Sequence, residues 1–169
     1  MITFFSELHV QHAPQHEFFR GERVPCFESP ARARFVQQQL MARGHVLREP
    51  GTDSRPVLAL IHTSRYLAFL EGAWADWLAL EPGNADRQPF PSVWPVRSLR
   101  ADVEPANFTA RLGLYSMDNG SPLSAGTWAA AKAGADAAVS ATRLLRAGEH
   151  AVFCATRPPG HHAGADFMG

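Results

Sequence analysis

The residues best suited to chemistry lie in the stretch 157–164, whose sequence is R-P-P-G-H-H-A-G. Its two prolines and first glycine fix an abrupt turn, because proline sets φ and glycine permits unusual backbone angles. On such a turn the adjacent side chains of His161 and His162 can point the same way, which neighbours on a strand cannot. Imidazole titrates near neutral pH, so these rings can accept a proton from water and donate one to a leaving amine. Such a pair could carry out the acid–base steps of a hydrolysis, for example of an amide bond.

A His-His pair alone has two other interpretations, a surface turn or half of a metal site. The residues before the pair favour a functional site. Residues 151–156 form a continuous apolar run without polar alternation, which is typical of a parallel strand buried on both faces. In open α/β sheets, ligands collect outside the carboxyl ends of the strands, and His161 and His162 would lie there.

Predicted strands and helices alternate along the chain, an order that favours the α/β class. The strands are predicted at residues 2–5 and 151–156, and the helices at residues 30–44, 63–80 and 124–146. Pro30 is favoured in a first helical turn, and Gly44 is a good helix stop. The connections at 6–29 and 81–105 are expected to be irregular. The second holds five prolines and is a place to expect substrate contacts.

Each predicted helix carries apolar or small residues three or four positions apart, the spacing of one buried face. The predicted core-facing residues are Ala33, Val36 and Leu40 in the first helix, Tyr66, Leu70, Trp74 and Trp77 in the second, and Trp128, Ala131, Ala135, Ala138, Thr142 and Leu145 in the third. The small side chains of the third stripe allow close approach, as when a helix lies on a sheet. The tryptophans of the second helix are expected to serve packing rather than binding.

Composition excludes several classes of partner for these 169 residues. The net charge at pH 7 is zero and the basic residues form no stripe, so neither nucleic acid nor an anionic membrane surface is implied. No apolar run approaches the roughly 18 residues that a membrane span needs, and the first residues do not resemble a signal peptide. Cys26 and Cys154 form no CxxC motif and are expected to be reduced thiols in a cytoplasmic protein.

The string R-P-P-G-H-H-A-G after a buried strand resembles the histone deacetylase and acetylpolyamine amidohydrolase family. Other segments resemble the acetylpolyamine amidohydrolase branch, namely Phe5-Ser6-Glu7 with His9, residues 21–25, residues 27–30, and Ser124 with Gly126-Thr127-Trp128. The similarity runs over nearly the whole chain, but only the His-His motif is individually specific. It implies a three-layer arginase–deacetylase-like α/β fold with a central parallel sheet. Residues 1–169 would be the N-terminal part of a single deacetylase domain, truncated after its first half.

The resemblance also implies roles for five residues. His162 would act as general base and acid on a zinc-bound water with His161 as its electrostatic partner, and the reverse division is open. Glu17 and Glu104 would place carboxylates near the mouth of the site, where they attract a substrate with several ammonium groups. A solvated surface glutamate is the alternative for both. Phe19, where relatives often carry a tyrosine, would line an apolar tunnel.

Zinc is the cofactor that the resemblance implies, and neither histidine of the pair is a zinc ligand in this family. The family's zinc is held by an Asp-x-His pair and a second Asp on later strands, and a catalytic zinc needs about three protein ligands. Those positions find no match before the chain ends at Gly169. We therefore expect zinc in the complete family domain, no zinc ligands here, and no metal-dependent activity in the isolated chain. The expected partners are a small acetylated amine as substrate and, because relatives are often dimers or higher oligomers, further copies of the chain.

Two rival hypotheses belong to other functional classes. In the first, the chain is a non-enzymatic remnant that acts through self-association, because half a sheet leaves the strand at 151–156 with an unpaired edge and an uncovered apolar face. In the second, the chain is a metal-binding module built from His9, His12, His16 and the pair His161–His162. The H-x2-H-x3-H spacing could bind a metal on a helix, but Pro14 favours a loop there.

Overall fold

The computed structural model describes residues 1–98 and 102–169. The chain divides into two compact units. Unit 1 comprises residues 1–13, 28–58 and 125–159, and unit 2 comprises residues 14–27, 59–124 and 160–169. The predicted irregular connection at 81–105 falls in unit 2, and its residues 99–101 lie outside the described part of the chain.

Strands and helices alternate in the order expected of an α/β chain. The strands are β1 (Ile2–Phe4), β2 (His16–Phe19), β3 (Glu22–Pro25), β4 (Val46–Arg48) and β5 (Val152–Cys154). The α-helices are α1 (Pro30–Ala42), α2 (Arg55–Ile61), α3 (Ser64–Leu80), α4 (Phe108–Leu114) and α5 (Thr127–Arg146), and short 3-10 helices cover Glu7–Gln11 and Pro82–Asp86. All five predicted elements are confirmed, with small differences at their ends.

A parallel three-stranded sheet lies at the centre of unit 1, with the strand order β4–β1–β5. Thr3 in the middle strand pairs with Leu47 on one side and Phe153 on the other. Parallel neighbours need a crossover connection, and α1 lies between β1 and β4 in the chain. The predicted parallel sheet is therefore confirmed. Strand β4 is missed by the sequence analysis, because three residues are too few to show a period.

Helix α5 buries a face of small residues in the core of unit 1. The buried residues of α5 are Ala130, Ala133, Ala137, Ser140 and Ala141. Ala137 and Ala141 form a core cluster with Phe4 of β1. The predicted stripe of this helix is only partly correct. Trp128, Ala131 and Ala135 are half-buried, whereas Ala138, Thr142 and Leu145 are exposed. Alanines occur all around α5, so their spacing alone does not identify the face that packs.

Helix α1 buries less than its pattern predicts. Ala33 is buried and Leu40 is half-buried, but Val36 is 42% exposed. Its neighbour Phe35 is 67% exposed. The apolar spacing predicts the position of α1 correctly, but it does not predict which of its apolar side chains are buried.

Strand β5 is buried on one face rather than on both, which corrects the prediction. Val152 and Cys154 pack against the cluster formed by α5 and β1, whereas Phe153 on the opposite face is 41% exposed. Strand β5 is also an edge of the described sheet. A continuous apolar run predicts two covering layers, and the described residues of unit 1 leave the Phe153 face open.

Helices α3 and α4 supply the core of unit 2. Its buried residues are Tyr66, Phe69, Ala73, Phe108, Leu112, Leu114, Tyr115, Leu123 and Met168, with Leu70 and Trp77 partly buried against them. The predicted stripe of α3 is thus largely correct, and Trp77 packs as expected. No described helix is long and apolar enough to cross a membrane.

An antiparallel hairpin, β2–β3, interrupts the segment 6–29 that was expected to be irregular. The pairing of Phe19 with Glu22 leaves a two-residue turn at Arg20 and Gly21, whose φ angles are 52° and 85°. Positive φ at both positions suits the twist of a hairpin. Arginine rarely adopts such a φ, so the sequence carries no clear signal for this turn.

Candidate active site

His161 and His162 lie on a turn at the start of the segment 160–169 of unit 2. The Ala163 N–H donates a hydrogen bond to the Gly160 carbonyl oxygen at 3.0 Å. The centroids of the two imidazole rings lie 4.1 Å apart, with the ring planes at 45°. Both side chains are exposed. Two adjacent proton-transfer groups therefore share one small volume that solvent can enter.

The segment after the pair folds back toward it. The Gly164 N–H donates to the Phe167 carbonyl oxygen at 2.9 Å. Gly169 then lies against His162, since a Cβ at position 169 would come within 2.9 Å of the His162 backbone and Cβ. A glycine at 169 leaves the room that this close approach requires.

The start of α3 holds this segment from one side. The Thr63 N–H donates to the Ala165 carbonyl oxygen at 3.0 Å. His62 Nδ1 lies 3.1 Å from the Gly164 carbonyl oxygen and 3.3 Å from that of Ala165. Thr63 also caps α3, because its Oγ1 accepts a hydrogen bond from the Tyr66 N–H at 3.4 Å. The segment is thus attached to the fixed first turn of a helix.

Arg97 holds the same segment through charge and stacking. Its guanidinium lies 3.9 Å from the centroid of the Phe167 ring, and its Nη1 lies 3.9 Å from an Asp166 carboxylate oxygen. Arg65 pairs with the same carboxylate at 3.4 Å. Arg97 is itself fixed by donating to the Ser116 carbonyl oxygen at 2.8 Å.

Met168 carries the segment into the core of unit 2. Its N–H donates to the Tyr115 carbonyl oxygen at 2.8 Å, and its carbonyl oxygen accepts from the Met117 N–H at 2.9 Å. The Met168 side chain is buried in the core. Backbone bonds, two arginines and a buried side chain therefore fix the chain within a few residues of the histidine pair.

Arg157, the first residue of the R-P-P-G-H-H-A-G motif, is held within unit 1. It is 3% exposed and its Nε and Nη2 donate to both carboxylate oxygens of Glu28. Its Nη1 donates to the carbonyl oxygens of His9 and His12. A buried guanidinium with this many partners fixes the point where the motif begins.

His9 and His12 form part of this cluster and are not placed for metal binding. Burial, followed by the nearby Arg157 charge, lowers the pKa of His12 to about 4. The same two causes lower the pKa of His9. The His12 Nδ1 shares a hydrogen bond of 2.8 Å with Thr127 Oγ1, and the His9 ring packs edge-on against Phe5. Both imidazoles are therefore neutral, structural groups at pH 7.

Glu17 and Phe19, predicted to contact substrate, belong to the hairpin β2–β3. The Cys26 thiol donates to Glu17 Oε2 at 3.2 Å, and the Phe27 N–H donates to the same oxygen at 3.1 Å. Phe19 is 49% exposed and meets the Phe27 ring edge-on at 6.1 Å. These bonds orient the Glu17 carboxylate, and the Phe19 ring offers an apolar surface.

Glu104, the third predicted substrate contact, is exposed and lies near the buried Tyr115. Burial, and then the Glu104 carboxylate, raise the pKa of Tyr115 to about 12. No hydrogen bond of ordinary geometry reaches the Tyr115 hydroxyl among the described residues. Glu104 therefore acts on that hydroxyl mainly through its charge.

All five predicted site residues belong to unit 2. The structure brings His161 and His162 into ring contact. The hydrogen bonds and ring contacts of Glu17 and Phe19 stay within residues 17–27. Sequence reasoning misses His62 and Arg97, because their partners lie far away in the chain and no motif marks them. It includes Arg157 in the motif but assigns it no role.

A catalytic zinc ion does not fit the described residues. No group of three or more His, Cys, Asp or Glu side chains among them is placed to hold a metal ion, whereas a catalytic zinc takes about three protein ligands. The rival hypothesis of a module built from His9, His12, His16 and the pair His161–His162 therefore has no support in the described part of the chain.

The sequence from residue 26 to residue 169 matches the Histone deacetylase domain. This chain belongs to the histone deacetylase family. It is 41% identical over 170 residues to acetylpolyamine amidohydrolase 2 of Pseudomonas aeruginosa, covering 100% of this chain and 48% of that protein. It is 40% identical to acetylpolyamine amidohydrolase 1 of the same organism, covering 49% of it. This member of the deacetylase family thus spans about half the length of the curated relatives it matches.

Two solved structures are similar to this chain in fold. The acetylpolyamine aminohydrolase of Burkholderia pseudomallei superposes with a TM-score of 0.90 at 30% identity, over 100% of this chain and 48% of that one. The HDA15 HD domain superposes with a TM-score of 0.64 at 16% identity, which shows a shared fold alone. The arginase–deacetylase-like α/β fold predicted from the sequence is confirmed.

Proposed function

We propose that this chain carries the acid–base histidines of an amidohydrolase that removes acetyl groups from acetylpolyamines or acetyl-lysine-like amines. The observation that carries the proposal is the contact of two exposed imidazoles, His161 and His162, 4.1 Å apart on a turn fixed by its neighbours. The identities of 41% and 40% to acetylpolyamine amidohydrolases support this choice of substrate class.

The two imidazoles supply the proton transfers of the reaction. His162 takes a proton from water as the water oxygen bonds to the acetyl carbon, and His161 stabilises the charge of the resulting tetrahedral species. The proton then passes to the amide nitrogen as the carbon–nitrogen bond breaks. The products are acetate and the protonated amine, which receives both protons of the water molecule, and exchanging the roles of the two rings leaves this balance unchanged.

Zinc dependence belongs to the proposal through the family resemblance. Bound zinc lowers the pKa of water and polarises a carbonyl group, and its ligands would lie outside the described residues. We expect the isolated 169-residue chain to show no chelator-sensitive hydrolysis of acetylated amines. Hydrolysis of N-acetylputrescine by the purified chain that a chelator abolishes would contradict this part of the proposal.

Glu17 and Glu104 are the proposed attractants for the cationic part of the substrate, and Phe19 is the proposed apolar wall for its methylene chain. A carboxylate near the entrance raises the encounter rate with a polyamine and favours it over neutral amides. The local bonds of Glu17 to Cys26 and Phe27 support a fixed carboxylate. Removal of the Glu17 or Glu104 carboxylate should raise KM for acetylated polyamines more than it lowers kcat.

Self-association is the second candidate function, and it is compatible with the first. The open edge of β5 and the exposed Phe153 favour pairing between copies of the chain. We expect light scattering after gel filtration to give a mass above that of one chain, and Phe153→Lys to lower it. A monomer at all concentrations would contradict self-association and leave the enzymatic proposal standing.

A chimeric enzyme tests the proposed function. The N-terminal half of the Pseudomonas aeruginosa acetylpolyamine amidohydrolase 2 is replaced by these 169 residues, which match it over their full length. We expect the chimera to hydrolyse N-acetylputrescine, and His162→Ala to lower kcat/KM by about 10²- to 10⁴-fold. The exposed His150 provides the control, since His150→Ala should leave kcat/KM unchanged. A chimera as active with His162→Ala as without it would overturn the proposal.

A further inference from the structure

His62 has no part in the proton transfers proposed above, yet it contacts the segment that carries them. Its Nδ1 lies 3.1 Å from the Gly164 carbonyl oxygen and 3.3 Å from the Ala165 carbonyl oxygen. We propose that His62 is a positioning residue of the turn at residues 160–164, holding the Gly164 peptide group and thereby the direction of His161 and His162. The inference rests on the proposed function of that pair.

The contact determines which ring nitrogen of His62 carries a proton. Carbonyl oxygens only accept hydrogen bonds, so the His62 Nδ1 must carry a proton and donate it to both. This holds for the neutral Nδ1–H tautomer and for the imidazolium ion alike. His62 therefore acts through the place of one N–H group rather than through a change of charge.

The Gly164 peptide group is where such a hold matters most. Glycine has wide backbone freedom, and Gly164 lies two residues after His162. Its N–H is bound by the Phe167 carbonyl oxygen, and His62 is the donor that reaches its carbonyl oxygen among the described residues. The Ala165 carbonyl oxygen has a second donor in the Thr63 N–H, so it stays bound without His62. The Gly164 carbonyl oxygen would lose the donor that His62 gives it among the described residues.

His62 is itself a fixed anchor. Its ring meets the Tyr66 ring edge-on, with centroids 5.4 Å apart and planes at 63°. Tyr66 is 3% exposed in the core of unit 2, and Thr63, the next residue, caps α3. A side chain locked by packing can hold a catalytic turn within the narrow tolerance that proton transfer needs.

Two substitutions separate the position of the N–H group from the loss of the ring. The side-chain amide nitrogen of asparagine reaches about as far as imidazole Nδ1, and that of glutamine about as far as Nε2. His62→Asn should keep the donor in place, whereas His62→Gln should move it beyond both carbonyl oxygens. His150→Gln, at an exposed position, controls for the loss of an imidazole elsewhere.

The first readout is the NMR spectrum of the side-chain imidazoles in the 169-residue chain, which needs no activity. We expect His62 to show the Nδ1–H form. We expect the ring signals of His161 and His162 to shift in His62→Gln and to stay near their original positions in His62→Asn and His150→Gln. Equal shifts in His62→Asn and His62→Gln, or no shift in either, would overturn the proposal even if both variants melt at lower temperature.

The second readout is kinetic and uses the chimera. His62→Gln should lower kcat for N-acetylputrescine by about tenfold to a hundredfold at nearly constant KM, the cost of a small misplacement of reacting groups. His62→Asn should restore most of that loss. An inactive chimera together with the expected NMR shifts would reject the proposed function while leaving the positioning role intact.

Discussion

At the scale of single residues, the guanidinium of Arg157 is a buried charge of unit 1 with several hydrogen-bond partners. It is 3% exposed and bonds to Glu28 and to two backbone carbonyl oxygens. Removing one partner of a buried ion pair leaves the other charge uncompensated in a medium that solvates it poorly. The motif that contains His161 and His162 thus starts from a residue whose loss should destabilise the fold.

Arg157→Met is therefore expected to destabilise the protein by about 3–5 kcal/mol, since it removes the buried partner of the Glu28 carboxylate and the donor to two backbone carbonyl oxygens. The measurement is the free energy of unfolding in urea. Arg32, which pairs with the same carboxylate at 3.6 Å from an exposed position, is the matched control. Arg32→Met should cost no more than about 1 kcal/mol, and equal losses in the two variants would contradict the account.

The buried His12 makes stability depend on pH. Its folded-state pKa of about 4 lies below the ordinary value of 6.5, so near pH 5 the unfolded chain binds more protons than the folded one. The stability that neutral His12 confers is complete above about pH 6.5 and is lost as the pH falls toward 4. From these two values, His12 accounts for a loss of about 2 kcal/mol between pH 7 and pH 5.

Urea unfolding of His12→Asn at the two pH values checks this contribution. The variant should lose less stability than the unsubstituted chain on going from pH 7 to pH 5, whereas His150→Asn should lose as much. His9, whose pKa is also lowered, should sustain part of the pH dependence in the His12 variant. An unchanged pH dependence in His12→Asn would show that His12 is not the group that titrates.

At the scale of elements, helix α5 contributes closely packed alanines to the core of unit 1. Ala137 is 1% exposed and lies in the cluster with Phe4, while the adjacent Ala138 is exposed. Ala137→Leu should cost about 1–3 kcal/mol, because the added carbons have no room. Ala138→Leu should change stability by less than about 0.5 kcal/mol. Thermal unfolding compares the two, and the reverse order would restore the face indicated by sequence spacing.

The contrast between these alanines shows what the sequence can predict about elements. Apolar spacing and stop signals locate α1, α3 and α5 correctly, because long periodic segments carry many independent signals. The burial of α5 is not predictable in the same way, since alanine is common on all its sides. The hairpin β2–β3 depends on a positive φ at Arg20, and an arginine at this position does not predict a positive φ.

The candidate site likewise has one part that the sequence predicts and one part that it does not. The histidine pair is recognisable because its flanking prolines and glycine carry the information locally. The residues that hold it, such as His62 and Arg97, act across long sequence separations and through backbone carbonyl groups, which any residue presents. Tertiary contacts of that kind leave no trace in a single sequence.

At the scale of the whole molecule, the chain is a member of the deacetylase family that spans about half of its relatives' length. The described residues contain the parallel sheet with order β4–β1–β5 and the turn that bears the histidine pair. These described residues contain no cluster fit for zinc. Our proposal assigns the proton transfers to His161 and His162 of this chain.

A double-mutant cycle in the chimera tests that assignment most directly. The measurement is kcat/KM for N-acetylputrescine with His161→Ala, His162→Ala and the two combined. If the rings act together on one water and one leaving amine, each removal disables the same step, and such effects are far from additive. We expect the double variant to lie within about threefold of the worse single variant. Activity in His162→Ala and in the double variant equal to that of the unsubstituted chimera would contradict it.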